Sequence, residues 1–225
     1  MLYHQVQKPK IYIIHNLKLQ DRKANLLKML DGYPNIEWIE IEKYPNLIYK
    51  NYTGKRDKQW EHKCENLWCP PPPPRELTYA EIACTASHIY AWQMALNDVA
   101  TWSIFIEDDA IFENDFIKNL NAILFNVPNY ADVLFIGGGF PHEEVSLTLG
   151  KVGNFIIKHH PATNTAVGYA IRNRVLKKLL RFDYFDLPID YEFAYLLQVN
   201  NCIVIHMENY GIREGSKNYY KSSIR

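Results

Sequence analysis

Residues 103–106 read Ser-Ile-Phe-Ile and run straight into three carboxylates, Glu107, Asp108 and Asp109. A short apolar run of this kind is a strand end inside a core, and adjacent like charges there repel while burial of each costs several kcal/mol, on the order of 2–7, unless a partner is supplied. Either the three acids splay into water at a surface turn, or something cationic sits among them. The strand itself has company. Residues 10–15, KIYIIH, form a second β-branched run, and residues 36–41 form a third. Between them the spacing of Ala24, Leu27 and Leu30 predicts an amphipathic helix from Asp21 that Gly32 ends. A strand-helix-strand opening predicts a parallel sheet.

The remainder of the chain continues that alternation. Thr78-Tyr79-Ala80-Glu81 has the capping-box pattern and starts a long helix to about residue 98. Further helices are expected at 114–126, 173–181 and 191–198, with strands at 132–136, 168–171 and 202–206. The fold class is therefore α/β with a mostly parallel central sheet, organised as one domain over 1–225. An irregular insert at 44–75 interrupts it, carrying the proline run 70–74, which must be extended and reads as a spacer.

Composition narrows the function. Among 225 residues there are 25 basic and 25 acidic side chains, which argues against a nucleic-acid binder built on a basic face. Basic stretches at 50–63 and 213–225 read as a solvated loop and terminus. No apolar run is long enough to span a membrane and the N-terminus has no signal-peptide core, so the expected location is cytoplasmic and any membrane contact peripheral. Cys64, Cys69, Cys84 and Cys202 are then expected to stay reduced.

In an open α/β sheet, ligands bind beyond the carboxyl ends of the strands, where Glu107, Asp108 and Asp109 fall. Alternation points Glu107 and Asp109 one way and Asp108 the other. Two carboxylates on one side suit a hard divalent cation, and the third is free to accept from a hydroxyl. Acids that end a strand and begin a helix are the structural alternative. Gly137-Gly138-Gly139 lacks the lysine and helix start of a phosphate loop, and reads as a turn where backbone approaches something closely. Glu81, Cys84 and His88 share one helix face; cysteine matches a hard cation poorly, so a capping glutamate, a buried thiol and a hydrogen-bonded histidine are expected there. Structural zinc at His62, Cys64 and Cys69, or at His159-His160, lacks a full ligand spacing.

Five segments, in order, resemble one known family. They are Ile14-His15-Asn16-Leu17 with Asp21-Arg22; Leu77-Thr78-Tyr79-Ala80-Glu81-Ile82-Ala83-Cys84 with Ser87-His88; Ile106-Glu107-Asp108-Asp109; Asn164-Thr165-Ala166-Val167-Gly168-Tyr169-Ala170-Ile171 with Leu179-Leu180; and Leu187-Pro188-Ile189-Asp190. The family is glycosyltransferase family 25, the lipooligosaccharide and collagen galactosyltransferases. The resemblance implies a GT-A-type, Rossmann-like fold and an inverting transfer of galactose or glucose from a UDP-sugar donor to a glycan or glycosylated acceptor. It also implies Mn²⁺ or Mg²⁺ as cofactor. By the same resemblance Asp109 binds the metal, Glu107 holds metal-bound water, and Asp108 accepts from the ribose. Asn16, Leu17, Arg22, Glu81, Ser87, His88 and Thr165 are implied to lie about the donor. His206, ending the apolar run CIVIH, is a candidate further metal ligand or an ordinary strand-end histidine. Asp190 is the candidate base or else a helix cap, and Glu192 is the next candidate after it. Ala80, Ala83 and Arg174-Val175 depart from the family pattern, as does the 44–75 insert. Two other readings use the same acids: a sugar-nucleotide or glycan-binding relative without activity, and a metal-dependent phosphoesterase.

Overall fold

The computed structural model describes residues 8–30, 32–40, 76–113, 115–138, 148–158, 165–181 and 185–215. The 44–75 insert with its prolines, His62, Cys64 and Cys69, the His159-His160 pair, Asn164 and Gly139 lie outside them. In chain order the elements are β1 (Lys10–His15), α1 (Gln20–Met29), β2 (Ile36–Glu40), α2 (Tyr79–Ala95), β3 (Trp102–Glu107), β4 (Ala110–Phe112), α3 (Phe116–Phe125), β5 (Val133–Phe135), β6 (Gly137–Gly138), β7 (Thr148–Val152), β8 (Phe155–Lys158), β9 (Gly168–Arg172), α4 (Asn173–Leu179), α5 (Ile189–Val199), β10 (Val204–Met207) and β11 (Ile212–Glu214).

Eight strands form the main sheet in the order β2-β1-β3-β9-β5-β10-β8-β7. Strands β2, β1 and β3 pair in parallel, as do β5 and β10, while β9 and β8 run against both of their neighbours. The expected α/β class is the observed one, but the sheet is mixed rather than mostly parallel: β9 and β8 run against the other strands, so three pairings are parallel and four antiparallel. Strands β4, β11 and β6 make a second, three-stranded sheet.

Successive side chains feed opposite faces, so each central strand serves two cores. Tyr12, Ile14, Phe105, Phe135, Tyr169 and Ile171 pack under α2, α4 and α5. Ile11, Ile13, Ile104, Ile106, Leu134 and Ile205 pack under α1 and α3, which contribute Leu26, Leu30, Phe116, Leu120 and Leu124. Helix α2 begins as expected: Thr78 Oγ1 accepts from the Glu81 N–H, and Glu81 Oε2 accepts from the Thr78 N–H at 2.8 Å.

Helix α1 differs from the expectation in its face. Leu27 is 50% exposed, and the residues turned inward are Arg22 and Leu26, followed by Leu30. An ion pair at Arg22, described below, sets the rotation of the helix, and the next inward positions follow at intervals of four. Gly137-Gly138 is a short strand rather than a turn, but the close approach holds. A Cβ on Gly137 would meet Ile212 at 3.0 Å, and one on Gly138 would collide with the ring of Tyr210. Among the described residues Cys84 and Cys202 are free thiols, and no helix is long and apolar enough to cross a membrane.

Candidate active site

The carboxyl ends of β1 and β3 lie side by side, with Ile14 in register with Glu107. At this edge Asp108 is held by three donors. His15 Nδ1 lies 2.9 Å from Oδ2, the Asn16 N–H donates to the same oxygen at 2.9 Å, and Arg22 Nη1 donates to Oδ1 at 2.8 Å. Asp108, His15 and Arg22 are all buried. The sequence posed a choice between water and a cation for these acids, and for Asp108 the cation is Arg22.

Glu107 turns to the other face of the sheet, toward α2. Its Oε1 receives the Cys84 thiol at 3.5 Å and lies 3.2 Å from His88 Nε2. The donor atoms of Cys84, His88 and Glu107 lie within 4.8 Å of one another, close enough to hold an ion; among the described residues no other such trio of histidine, cysteine or carboxylate groups occurs. His88 Nδ1 is 2.6 Å from the hydroxyl of Tyr169, which also accepts from Trp92 Nε1 at 3.0 Å.

A carboxyl cluster surrounds Glu107. Burial, then the neighbouring Asp108, pushes Glu107 up to about 7. Burial and Glu107 push Asp109 up to about 7 as well. Asp190 is likewise raised to about 7, first by burial and then by Glu107, although the Ala166 N–H donates to it and lowers it somewhat. Glu214 on β11 adds negative charge to all three. Burial pushes the Cys84 thiol well up and drives His88 down to about 3. Asp109 itself is 6% exposed, and its Oδ1 has no hydrogen-bond partner among the described residues.

The other candidate residues divide. Asn16 uses its backbone on Asp108 and its side-chain oxygen on the Lys18 N–H, and the Leu17 carbonyl accepts from Gln20 Nε2. Glu81 is the capping glutamate, at the opposite end of a turn from Cys84. Ser87 is buried with its hydroxyl donated to the Ala83 carbonyl at 2.7 Å, so it turns back onto its own helix. Thr165 is half-buried just ahead of β9, next to the Ala166 that contacts Asp190. His206 is fully buried, stacked on Phe135 at 4.9 Å and 3.2 Å from the Tyr210 hydroxyl, and does not join the Cys84–His88–Glu107 trio. Asp190 is the second residue of α5, in its first turn, and the cap position belongs to Pro188. Glu192 is 1% exposed and its Oε2 accepts from the Asp186 and Leu187 N–H groups at 3.4 and 3.2 Å, which commits it to the loop before the helix.

Three participants are not evident from sequence alone. His15 and Tyr169 lie inside the motifs quoted above, yet only their positions across the sheet give them partners. Glu214 sits in a basic stretch whose composition masked it.

Comparison with known proteins gives the family. Residues 8–192 match the family described as "Glycosyltransferase family 25 (LPS biosynthesis protein)", and the chain belongs to that family. Procollagen galactosyltransferase 2 of Mus musculus is 24% identical over 211 residues, covering 91% of this chain and 33% of the relative. The Homo sapiens protein of the same name is 24% identical over 216 residues with the same coverage. The chain thus spans about a third of the length of these curated relatives. Its α/β fold, with a large central sheet, is of the class the resemblance implied. Among solved structures, A197 from STIV aligns with 11% identity and a TM-score of 0.44, covering 91% of this chain and 83% of that one. Mouse xyloside xylosyltransferase 1 aligns with 9% identity and a TM-score of 0.42, covering 86% and 69%. Likenesses this distant carry no functional argument.

Proposed function

We propose that this chain transfers a hexose from a UDP-sugar to a hydroxyl of a glycan or glycosylated acceptor, with inversion and with a divalent cation, Mn²⁺ or Mg²⁺. Galactose is favoured as the sugar because the curated relatives are named galactosyltransferases. The observation that carries the reading is the convergence of Glu107, Asp109 and Asp190, each raised to about 7, beyond the strands of a family 25 sheet.

The residues fit a hard cation. Oxygen donors in excess, with a buried Asp109 Oδ1 that lacks a donor, suit Mn²⁺ or Mg²⁺. Leaving such an atom unsatisfied costs about 1–3 kcal/mol. Arg22 is the cation whose charge reaches Glu107 and Asp109, and its guanidinium is committed to Asp108. Asp109, with Glu107 beside it, would hold the ion, which supplies Lewis-acid stabilisation of the charge on the departing diphosphate. His206, packed on Phe135, is left out of this set.

Asp108 has about four acceptor positions and uses three on His15, Asn16 and Arg22, so one serves a ribose hydroxyl. Asp190 takes the proton of the attacking hydroxyl. Its pKa of about 7 matches the working pH of a general base, and the Ala166 N–H orients it. Glu192 is not an alternative base, since its carboxylate holds two backbone N–H groups.

A second reading retains some support. A metal-dependent phosphoesterase needs carboxylates from several elements, and Glu214 at the end of β11 and Asp190 at the start of α5 add to those of β3. One assay separates the two. The chain is incubated with Mn²⁺, a UDP-hexose and glycan acceptors; UDP release is the expected result, and UMP release would favour the phosphoesterase. In the same assay Asp190→Asn is expected to lower the rate by about 10²-fold or more, with UDP-sugar affinity and melting temperature nearly unchanged. A near wild-type rate in that variant would remove Asp190 from the chemistry.

A further inference from the structure

Tyr169 lies in β9 at the middle of the sheet, fully buried, with its ring against Phe105, Phe135 and Phe193 at centroid distances of 5.2, 6.1 and 4.6 Å. No solvent reaches its hydroxyl, so the two partners it has must account for its hydrogen bonding. Trp92 Nε1 lies 3.0 Å away, and an indole N–H only donates. The phenol oxygen therefore accepts from Trp92, and among the described residues its own proton has one acceptor within reach, Nδ1 of His88 at 2.6 Å. A bare Nδ1 places the ring proton of a neutral imidazole on Nε2. Nε2 faces Oε1 of Glu107 at 3.2 Å and donates to it. The opposite tautomer would strand the buried phenol proton whatever the state of Glu107, and with Glu107 ionised it would also point a lone pair at a carboxylate. The same inventory argues against a cation held by Cys84, His88 and Glu107 together, because Nε2 already carries a proton.

We propose that Tyr169, with Trp92 behind it, is a positioning residue for donor binding: its hydroxyl locks His88 as the Nε2–H tautomer, and His88 then pins Oε1 of Glu107 so that Oε2 is presented to the UDP-sugar and its cation. The Cys84 thiol bonds to the same Oε1 at 3.5 Å, so both observed bonds fall on one oxygen. The proposal rests on the glycosyltransferase reading of Glu107. It gives a role to a chain of groups, Trp92 to Tyr169 to His88 to Glu107, that starts in the core and ends at the site.

The test joins nitrogen NMR of the histidine rings in the full chain to calorimetry of UDP with Mn²⁺. His88→Gln identifies the His88 signals by their loss. The wild type is expected to show His88 as Nε2–H. Tyr169→Phe, which keeps the ring and removes the hydroxyl, is expected to release the tautomer and weaken UDP–Mn²⁺ binding by about 10–100-fold, the range for groups that orient a ligand of a metal site. Glutamine at position 88 keeps an N–H donor for Glu107 that does not depend on Tyr169. Adding Tyr169→Phe to His88→Gln is therefore expected to cost nothing more. Equal losses in both backgrounds, or an Nδ1–H tautomer in the wild type, would overturn the proposal. Should Tyr169→Phe fail to fold, the wild-type tautomer still decides. If the wild type binds no UDP, the glycosyltransferase reading fails while the tautomer measurement still tests the Tyr169–His88–Glu107 chain.

Discussion

Asp108 and Glu107 are adjacent in the chain and opposite in circumstance. Asp108 is buried against a guanidinium and two N–H donors, whereas Glu107 shares its surroundings with Asp109 and Asp190. Alternation across the sheet explains the division: one side chain faces α1 and its arginine, the other faces α2 and a neutral histidine. The consequence is a stability that depends on pH. Glu107, Asp109 and Asp190 keep their protons in the folded state up to about 7, whereas in the unfolded chain they lose them near the ordinary carboxylate value of about 4. The folded state therefore binds more protons between those values, and its stability is fully present below about pH 4 and lost as pH rises through about 7 as far as these three groups are concerned. The metal-free protein is expected to melt at lower temperature at pH 8 than at pH 5.5. Excess Mn²⁺ is expected to raise the melting temperature more at pH 8, where the carboxylates are free to bind it. A melting temperature that is flat across this range, or Mn²⁺ stabilisation that is larger at acid pH, would mean that these carboxyls do not form one charge cluster.

At the scale of elements, the sequence was legible where one local rule decides. The capping box at Thr78 and Glu81 needs only its own turn, and α2 starts where the pattern placed it. Strands β1, β3 and β9 are continuous apolar runs because helices cover both faces of the sheet. The face of α1 was not legible, since an arginine is an unexpected inward residue until its partner Asp108, 86 positions away, is known. The β7–β8 hairpin was missed although Gly153 takes a left-handed φ of +58° in its turn, because exposed residues such as Leu149 and Val152 blur the alternation. Asp190 and Glu192 show the same limit at a helix start. Sequence put two acids in the first turn of α5, and only the fold gives one to the cluster and the other to the backbone of Asp186 and Leu187. That split predicts opposite phenotypes. Glu192→Ala leaves two buried N–H groups without their acceptor and is expected to lower stability by about 1–3 kcal/mol in urea unfolding. The loss is expected without the rate defect of Asp190→Asn once the folded fraction is allowed for. A Glu192→Ala protein of unchanged stability would show that the Asp186–Leu187 loop is held by other contacts.

For the whole molecule, the match to the family ends at residue 192, yet both sheets are completed by strands beyond it. Strand β10 pairs in parallel with β5 and antiparallel with β8, so it joins the two parts of the main sheet. Strand β11 lies between β4 and β6 in the small sheet, and the Gly215 N–H donates to the Asp109 carbonyl at 2.8 Å. Ile205 and Ile212 are fully buried in the core beneath α1 and α3. Gly137 and Gly168 exist as glycines partly because Ile212 packs on them: a Cβ there would approach its side chain to 3.0 and 2.8 Å. Removal of residues 200–225 would take one of the two ladder partners from β5 and from β8, empty two core positions and free the backbone of Asp109. Each lost isoleucine alone is worth about 2–5 kcal/mol when cut to alanine, against a total stability of about 5–15 kcal/mol for a domain. The chain ending at residue 199 is therefore expected to show no cooperative thermal transition by circular dichroism and no UDP binding with or without Mn²⁺. The single substitution Ile212→Ala is expected to fold, at a stability lowered by about 2–5 kcal/mol. A truncated chain that melts cooperatively near the full-length temperature would make β10 and β11 an appendage to the family fold, and the Gly215 bond to Asp109 dispensable.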